Sequence, residues 1–161
     1  MASILEHCTN AIREEISAGE VLLREGETTG RLYVLATGTL EVLRGETSVA
    51  TVREPGAVFG EMSVLLKRPH TATVKAVTPV SVYVFDDAES FLKSHPEIAF
   101  VLARMLAQRL NGATTYLVDL KRQFEDDTNH FGMVGEVLES LLHQQAEDLA
   151  PGSDLKNDPR L

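Results

Sequence analysis

Residues 59–74, FGEMSVLLKRPHTATV, place a glycine, a carboxylate and several hydroxyl side chains within one short segment. A glycine that opens a short apolar helical turn leaves consecutive backbone N–H groups unpaired, and such groups attract anions. Gly60 also lets a ligand approach the backbone closely. Glu61 is too acidic to face a phosphate directly, but a carboxylate that only accepts hydrogen bonds suits a sugar hydroxyl. The segment therefore indicates a nucleotide-binding loop, although a Gly-Glu pair alone is far more typical of an ordinary first helical turn.

The surrounding pattern predicts a roll of short antiparallel strands. Stretches rich in Leu, Val, Tyr and Thr, separated by glycine or Thr-Pro turns, lie at residues 31–37, 39–44, 71–77 and 79–85. No helices alternate with them, which favours an antiparallel β-roll or jelly-roll-like barrel of the α+β class. Between Ser3 and Ser17, apolar residues recur about once per helical turn and predict an N-terminal amphipathic helix.

The sequence has a specific order of glycines and predicted strands around the 59–74 segment. The residues that define this order are 19–22, 25–27, 32–42, 56, 59–74 and 75–77. In this order the chain, from Gly19 to about Phe124, resembles the cyclic-nucleotide-binding domain of catabolite-activator-type regulators, kinase regulatory subunits and cyclic-nucleotide-gated channels. The resemblance implies a cyclic phosphate held by backbone amides and an arginine, and a ribose 2′-hydroxyl held by the glutamate. The matching positions are Gly60, Glu61, Met62, Ser63, His70 and Thr71, of which His70 stands where the family has arginine.

The exchange of arginine for His70 changes the expected affinity. Arginine offers a permanent planar fork, whereas histidine is shorter and mostly neutral above its ordinary pKa of about 6.5. A charge-assisted contact is worth roughly 1.5–3 kcal/mol, so we expect binding about ten- to a hundredfold weaker. If the protonated ring pairs with phosphate, affinity should rise as the pH falls from about 8 to 6. A degenerate pocket without a nucleotide, or a different anionic or nucleotide ligand, are the alternatives.

A long helix is predicted after Ser94, because a hydroxyl, a proline at 96 and a glutamate at 97 fit a capping box. Small or apolar residues then recur at alternating steps of four and three, the spacing of a two-helix seam; they are Ala99, Ala103, Leu106, Leu110, Ala113, Leu117, Leu120 and Phe124. The half up to Leu110 is expected to pack on its own barrel, and the remainder to form a homodimer through the helix between Ala99 and Phe124.

Two further expectations concern this helix. Asn111 and Gly112 interrupt it, and because glycine costs about 1 kcal/mol in a helix interior, they predict a bend or hinge. In the resembling regulators the corresponding helix contacts the nucleotide base, which implies Thr114 and Thr115 as base contacts.

The predicted domains are a cyclic-nucleotide-binding-like domain with its helix at 1–125, an additional amphipathic helix at 128–149 and a disordered tail at 150–161. In catabolite-activator-like proteins a DNA-reading domain would begin near residue 129, and the sequence predicts none. We therefore expect a stand-alone sensor that acts on an unidentified protein partner, with cAMP a more probable ligand than cGMP.

Composition excludes several other functions. A net charge of −9 argues against binding to nucleic acid or to anionic membranes. A lone cysteine, Cys8, excludes an intrachain disulfide, and the absence of a long apolar run or signal peptide predicts a soluble, cytoplasmic protein. The histidines are too scattered for a metal site, and no nucleophile has a nearby base, so neither a metal cofactor nor an enzyme is predicted.

Overall fold

A computed structural model describes residues 4–123 and 132–143 of the chain. The elements in chain order are a 3₁₀ helix (Ile4–His7), β1 (Ile12–Ile16), β2 (Val21–Leu23), β3 (Leu32–Thr37), β4 (Leu40–Arg44), β5 (Thr47–Val52), β6 (Val58–Phe59), α1 (Glu61–Leu66), β7 (Thr73–Ala76), β8 (Val80–Phe85), α2 (Ala88–Ser94), α3 (Pro96–Gln123) and α4 (Gly132–His143). They belong to two compact units, Met1–Ala99 and Phe100–Leu161.

The first unit is the predicted antiparallel roll. Its two four-stranded sheets have the orders β1-β8-β3-β6 and β2-β7-β4-β5, and the strand pairs are antiparallel. The sheets share a core of apolar side chains: Leu23, Tyr33, Leu35, Leu40, Phe59, Val74, Ala76, Val80, Val82 and Val84. Because alternate strand residues point to opposite faces, Tyr33 and Leu35 enter this core while Leu32 and Val34 are buried on the other face of β3.

The predicted N-terminal helix is wrong beyond one short turn. Only Ile4–His7 is helical, whereas Ile12–Ile16 forms β1, which pairs with β8. A spacing of four residues, as between Ile12 and Ile16, fits one helical turn and two strand repeats equally well. The hydrogen-bond ladder that β8 offers decides between them, and that ladder is a long-range feature.

The predicted capping box at Ser94 is also wrong, because Ser94 is the last residue of a helix that the sequence did not indicate, α2. Its hydroxyl donates to the Ser90 carbonyl at 2.8 Å. The signal that was missed is Asp87, whose carboxylate caps α2 by accepting from the Ser90 N–H at 3.3 Å. Phe91 of α2 stacks on Phe85 of β8, with 4.2 Å between ring centroids, and so fixes α2 on the roll.

The long helix is confirmed as α3, with 28 residues, but the predicted interruption is not present. Asn111 and Gly112 continue the helix, since a cost of about 1 kcal/mol is readily absorbed where Ala, Leu, Arg and Gln favour the same conformation. Phe124, residues 128–131 and 144–149 and the predicted tail lie outside the described residues. Within the part of the chain that the structure describes, no helix combines the length and hydropathy that crossing a membrane requires.

Gly112→Ala should stabilise the protein by about 0.5–1 kcal/mol, because the added methyl group meets open space and removes the conformational freedom of glycine. Gly38→Ala is the same substitution at a second glycine, and we expect it to have the opposite effect on stability. Gly38 has φ +100°, and a Cβ there would lie 2.5 Å from the Pro79 carbonyl oxygen, so this variant should lose more than about 1 kcal/mol. Urea unfolding followed by circular dichroism measures both, and a destabilised Gly112→Ala would contradict the continuous helix.

Candidate functional site

The candidate site is built on the turn between β6 and α1. Gly60 adopts a left-handed conformation with φ +87°, and a Cβ at this position would lie 2.5 Å from the Arg31 carbonyl oxygen. The Leu23 side chain lies on the same side, at 3.6 Å. The Gly60 carbonyl accepts the first helical hydrogen bond, from the Val64 N–H at 3.2 Å. Only glycine therefore fits here, because any side chain would displace the backbone of the neighbouring strand.

The first turn of α1 separates its side chains between interior and surface. Glu61 is only 6% exposed and Ser63 is buried, whereas Met62 is 44% exposed. The Ser63 hydroxyl donates to the Arg68 carbonyl at 2.5 Å, and the Arg68 N–H donates to the Ser63 carbonyl at 3.2 Å. The Ser63 hydroxyl proton thus closes the turn after α1.

His70 follows this turn and is only 5% exposed. Its Nε2 lies 3.1 Å from the Thr29 hydroxyl oxygen. Its N–H donates to the Glu27 carbonyl at 2.8 Å, and its carbonyl accepts from the Gly26 N–H at 2.9 Å. The ring and the backbone of His70 are therefore both held by the loop between β2 and β3, and sequence reasoning missed Thr29 because it is distant in the chain.

That loop is itself held in place through Glu25. The Glu25 carboxylate accepts from the Gly45 N–H at 2.7 Å, in the turn between β4 and β5. Its N–H donates to the Thr73 hydroxyl at 3.0 Å, at the start of β7. The His70 environment is consequently fixed by contacts to the second sheet.

Burial lowers the pKa of His70 below its usual 6.5, because the interior disfavours the charged ring, while the nearby Glu27 carboxylate opposes this by favouring the proton. The ring is therefore neutral at pH 7 and above. In the absence of ligand, the range in which it takes up a proton lies below 6.5, lower than the predicted span of pH 8 to 6.

The structure places the predicted site residues in two groups. Gly60, Glu61, Met62, Ser63, His70 and Thr71 lie in the first unit, on α1 and the segment that follows it, and the Thr71 side chain is exposed. Thr114 and Thr115 lie on α3 in the second unit, where Thr114 is half-buried and Thr115 is exposed.

A cleft of about 290 Å³ lies beside α1 and α2, lined by Thr28, Gly30, Ser63, Val64, Lys67, Asp86, Asp87 and Glu89. Ser63 is the one residue that it shares with the predicted site. Lys67 and Glu89 approach to 3.7 Å in an ion pair, and Asp86 pairs with Arg31 at 2.8 Å. Three carboxylates against one ammonium make this lining unfavourable for a phosphate. Over residues 4–123 and 132–143, no group of three or more His, Cys, Asp or Glu side chains is arranged to hold a metal ion.

Comparison with known proteins gives one family and several relatives. Residues 13–94 match the family described as the cyclic nucleotide-binding domain. The chain is 33% identical over 108 residues to a CRP-like cAMP-activated global transcriptional regulator of Mycobacterium tuberculosis, covering 63% of this chain and 48% of the regulator. It is 32% identical over 120 residues to a cyclic nucleotide-gated potassium channel of Mesorhizobium japonicum, covering 70% of this chain and 32% of the channel.

A solved structure of the catabolite activator protein of Thermus thermophilus has a similar fold, with a TM-score of 0.59 and 22% identity over 90% of this chain and 83% of that chain. The chain thus spans about half the length of the first curated relative that it matches.

The buried neutral ring of His70 should make the protein lose stability on acidification. The unfolded chain takes up the His70 proton near pH 6.5, whereas the folded protein resists it, so the free energy of unfolding should fall as the pH decreases below about 6.5. Replacement of His70 by Gln removes this contribution and leaves the carboxylates and the other histidines unchanged. Urea unfolding at pH 7.5 and at pH 5.5 measures this contribution. Between the two pH values the free energy of unfolding should fall further in the wild type than in His70→Gln. An equal fall in both proteins would contradict a lowered pKa of His70.

Proposed function

The chain belongs to the cyclic nucleotide-binding domain family, and we propose that it is a regulatory module that binds a cyclic nucleotide and acts through contacts with protein chains. The observation that carries the proposal is the cassette between Gly60 and Thr71 inside the matched residues, in which Gly60 has no space for a side chain and Glu61 is buried. The preferred ligand is cAMP, which the name of the related Mycobacterium tuberculosis regulator supports.

Each cassette residue has a role in this proposal. Glu61 accepts a hydrogen bond from the ribose 2′-hydroxyl, since a carboxylate offers acceptors only. The backbone at Gly60, Met62 and Ser63 faces the cyclic phosphate. Thr71 is exposed and free to turn its hydroxyl towards the same group, and His70 occupies the place of the family arginine.

The second unit supplies the remaining parts of the proposed module. Thr114 and Thr115 contact the base, either in their own subunit or across a homodimer. The α3 seam that pairs two subunits includes Leu110, which is 46% exposed, within the regular four-three spacing between Ala99 and Phe124. Since Leu110 is a large apolar side chain at the surface of one chain, a second copy of α3 would remove it from water.

A binding-incompetent module that only dimerises is the second candidate. Two observations favour it: the buried ring of His70 is neutral at pH 7, and the Ser63 hydroxyl is engaged by the Arg68 carbonyl. The first removes a positive charge and the second a hydrogen-bond donor that the cassette could otherwise offer to a phosphate. The two candidates differ in ligand binding and agree on the contact through α3, so ligand binding separates them.

Calorimetric titration with cAMP and cGMP at pH 6.5 should show binding with a dissociation constant on the order of micromolar, tighter for cAMP. Glu61→Ala should lose it, because the ribose hydroxyl is left without its acceptor. Glu46→Ala, which removes an exposed carboxylate in the turn after β4, is the matched control and should bind as the wild type does. Absence of heat with either nucleotide would favour the module that only dimerises.

Leu110→Glu should convert the homodimer to a monomer, because two carboxylates would face each other in the seam. Gln108→Glu adds the same charge at an exposed position of α3 outside the four-three spacing and should leave the dimer intact. Sedimentation velocity across a tenfold range of protein concentration measures the change. A wild-type protein that remains monomeric throughout that range would refute pairing through α3.

A further inference from the structure

His70 cannot be treated as a short arginine, because the fold holds its ring in one place. The Nε2 atom lies 3.1 Å from the Thr29 hydroxyl oxygen, and the N–H and carbonyl of the residue are hydrogen-bonded to Glu27 and Gly26. The side chain is buried, whereas the guanidinium of an arginine needs room and water or an anion to sustain its permanent charge. This position is therefore built around an uncharged imidazole.

Two basic side chains of the neighbouring segments, Lys67 and Arg31, already form ion pairs, with Glu89 and Asp86 respectively. From the loop between β2 and β3, Glu27 is the charged group that acts on His70, and Thr29 contributes a neutral hydroxyl. On the cassette itself, Glu61 brings a buried carboxylate, Lys67 lies in an ion pair with Glu89, and the side chain of Arg68 is half-buried. The helix dipole is small as well, since α1 has only six residues.

We infer that at neutral pH this site binds an uncharged ribonucleoside about as tightly as the corresponding 3′,5′-cyclic nucleotide. A neutral imidazole offers the phosphate no opposite charge, so the hydrogen bonds that the phosphate gains from backbone N–H groups do little more than replace those that it gives up in water. The ribose keeps its recognition, because Glu61 accepts the 2′-hydroxyl of a nucleoside as readily as that of a cyclic nucleotide. The inference rests on the proposed function, because it uses this role of Glu61. It implies that the protein recognises the nucleoside part of the ligand, the ribose with its base.

Protonation of His70 would restore a preference for the phosphate. Once the ring carries a charge, it forms a charge-assisted contact that the nucleoside lacks, and the bound phosphate in turn favours the proton. The ratio of the two dissociation constants therefore depends on pH, even though the ribose contact does not. His70 is thus the residue that sets specificity for a charged over an uncharged ligand.

Isothermal titration of the full chain with adenosine and with cAMP, at pH 7.5 and at pH 6.0, tests the inference. At pH 7.5 the two dissociation constants should agree within about threefold, and at pH 6.0 cAMP should bind more tightly by about tenfold. His70→Arg should favour cAMP over adenosine by roughly ten- to a hundredfold at both pH values, because the phosphate supplies the anion that a buried guanidinium needs. His70→Gln, which needs no buried charge to fold, should keep the ratio near one at both pH values. 2′-Deoxyadenosine should bind weakly throughout.

The other outcomes separate the inference from the proposed function. Wild-type protein that prefers cAMP by tenfold or more at pH 7.5, with no change at pH 6.0, would overturn the inference and leave the proposed function standing. Loss of such a preference in Arg68→Ala would identify Arg68, rather than His70, as the residue that governs the phosphate, and would likewise overturn it. If neither ligand binds to the wild type or to His70→Arg, the proposed function itself fails and the inference fails with it.

Discussion

The close approach of Gly60 to the Arg31 carbonyl is the constraint on which the candidate site depends. A backbone with φ +87° and no space for a Cβ places α1 directly against the start of β3. Because α1 begins there, Glu61 points into the protein and Met62 towards the surface. The same placement sets where the turn after α1 ends, and hence where His70 meets the loop between β2 and β3. This steric contact thus sets where the carboxylate lies, while the hydrogen bonds to the loop between β2 and β3 hold the imidazole.

In the proposed module, His70 would retain the family scaffold while changing the chemistry of its site. The surrounding contacts are those of an ordered buried residue, with both backbone groups and one ring nitrogen hydrogen-bonded. An ordered imidazole fills the space at this position and holds the adjacent loop, which a small residue in the place of arginine would not do. Loss of the permanent charge is therefore compatible with an intact cassette, and ordered packing at this position does not indicate that the site has decayed.

The roll and the 59–74 segment could be predicted from the sequence, since strand alternation and a glycine before a short apolar helix are local signals. The N-terminal segment could not, because Ile12 and Ile16 satisfy the helical and the strand period together, and β8 decides between them. The helix α2 was missed because its seven residues give too short a pattern. The setting of His70 depends on Thr29, 41 residues away, and no local pattern reports such a contact.

In the proposed module, a neutral imidazole at the position of a guanidinium would also change what the protein responds to. Arginine keeps its charge at any physiological pH, so the occupancy of a site with arginine at this position depends on the concentration of the ligand and not on the protonation of that residue. If His70 contacts the phosphate as proposed, occupancy by a phosphate-bearing ligand depends on the ligand concentration and on the proton concentration, because the bound phosphate and the ring proton stabilise each other. The coupling is reciprocal, and its size is limited by the difference between the pKa of the ring with and without ligand. Burial lowers the pKa of His70 in the absence of ligand, so the free protein takes up this proton at a lower pH than an exposed histidine would.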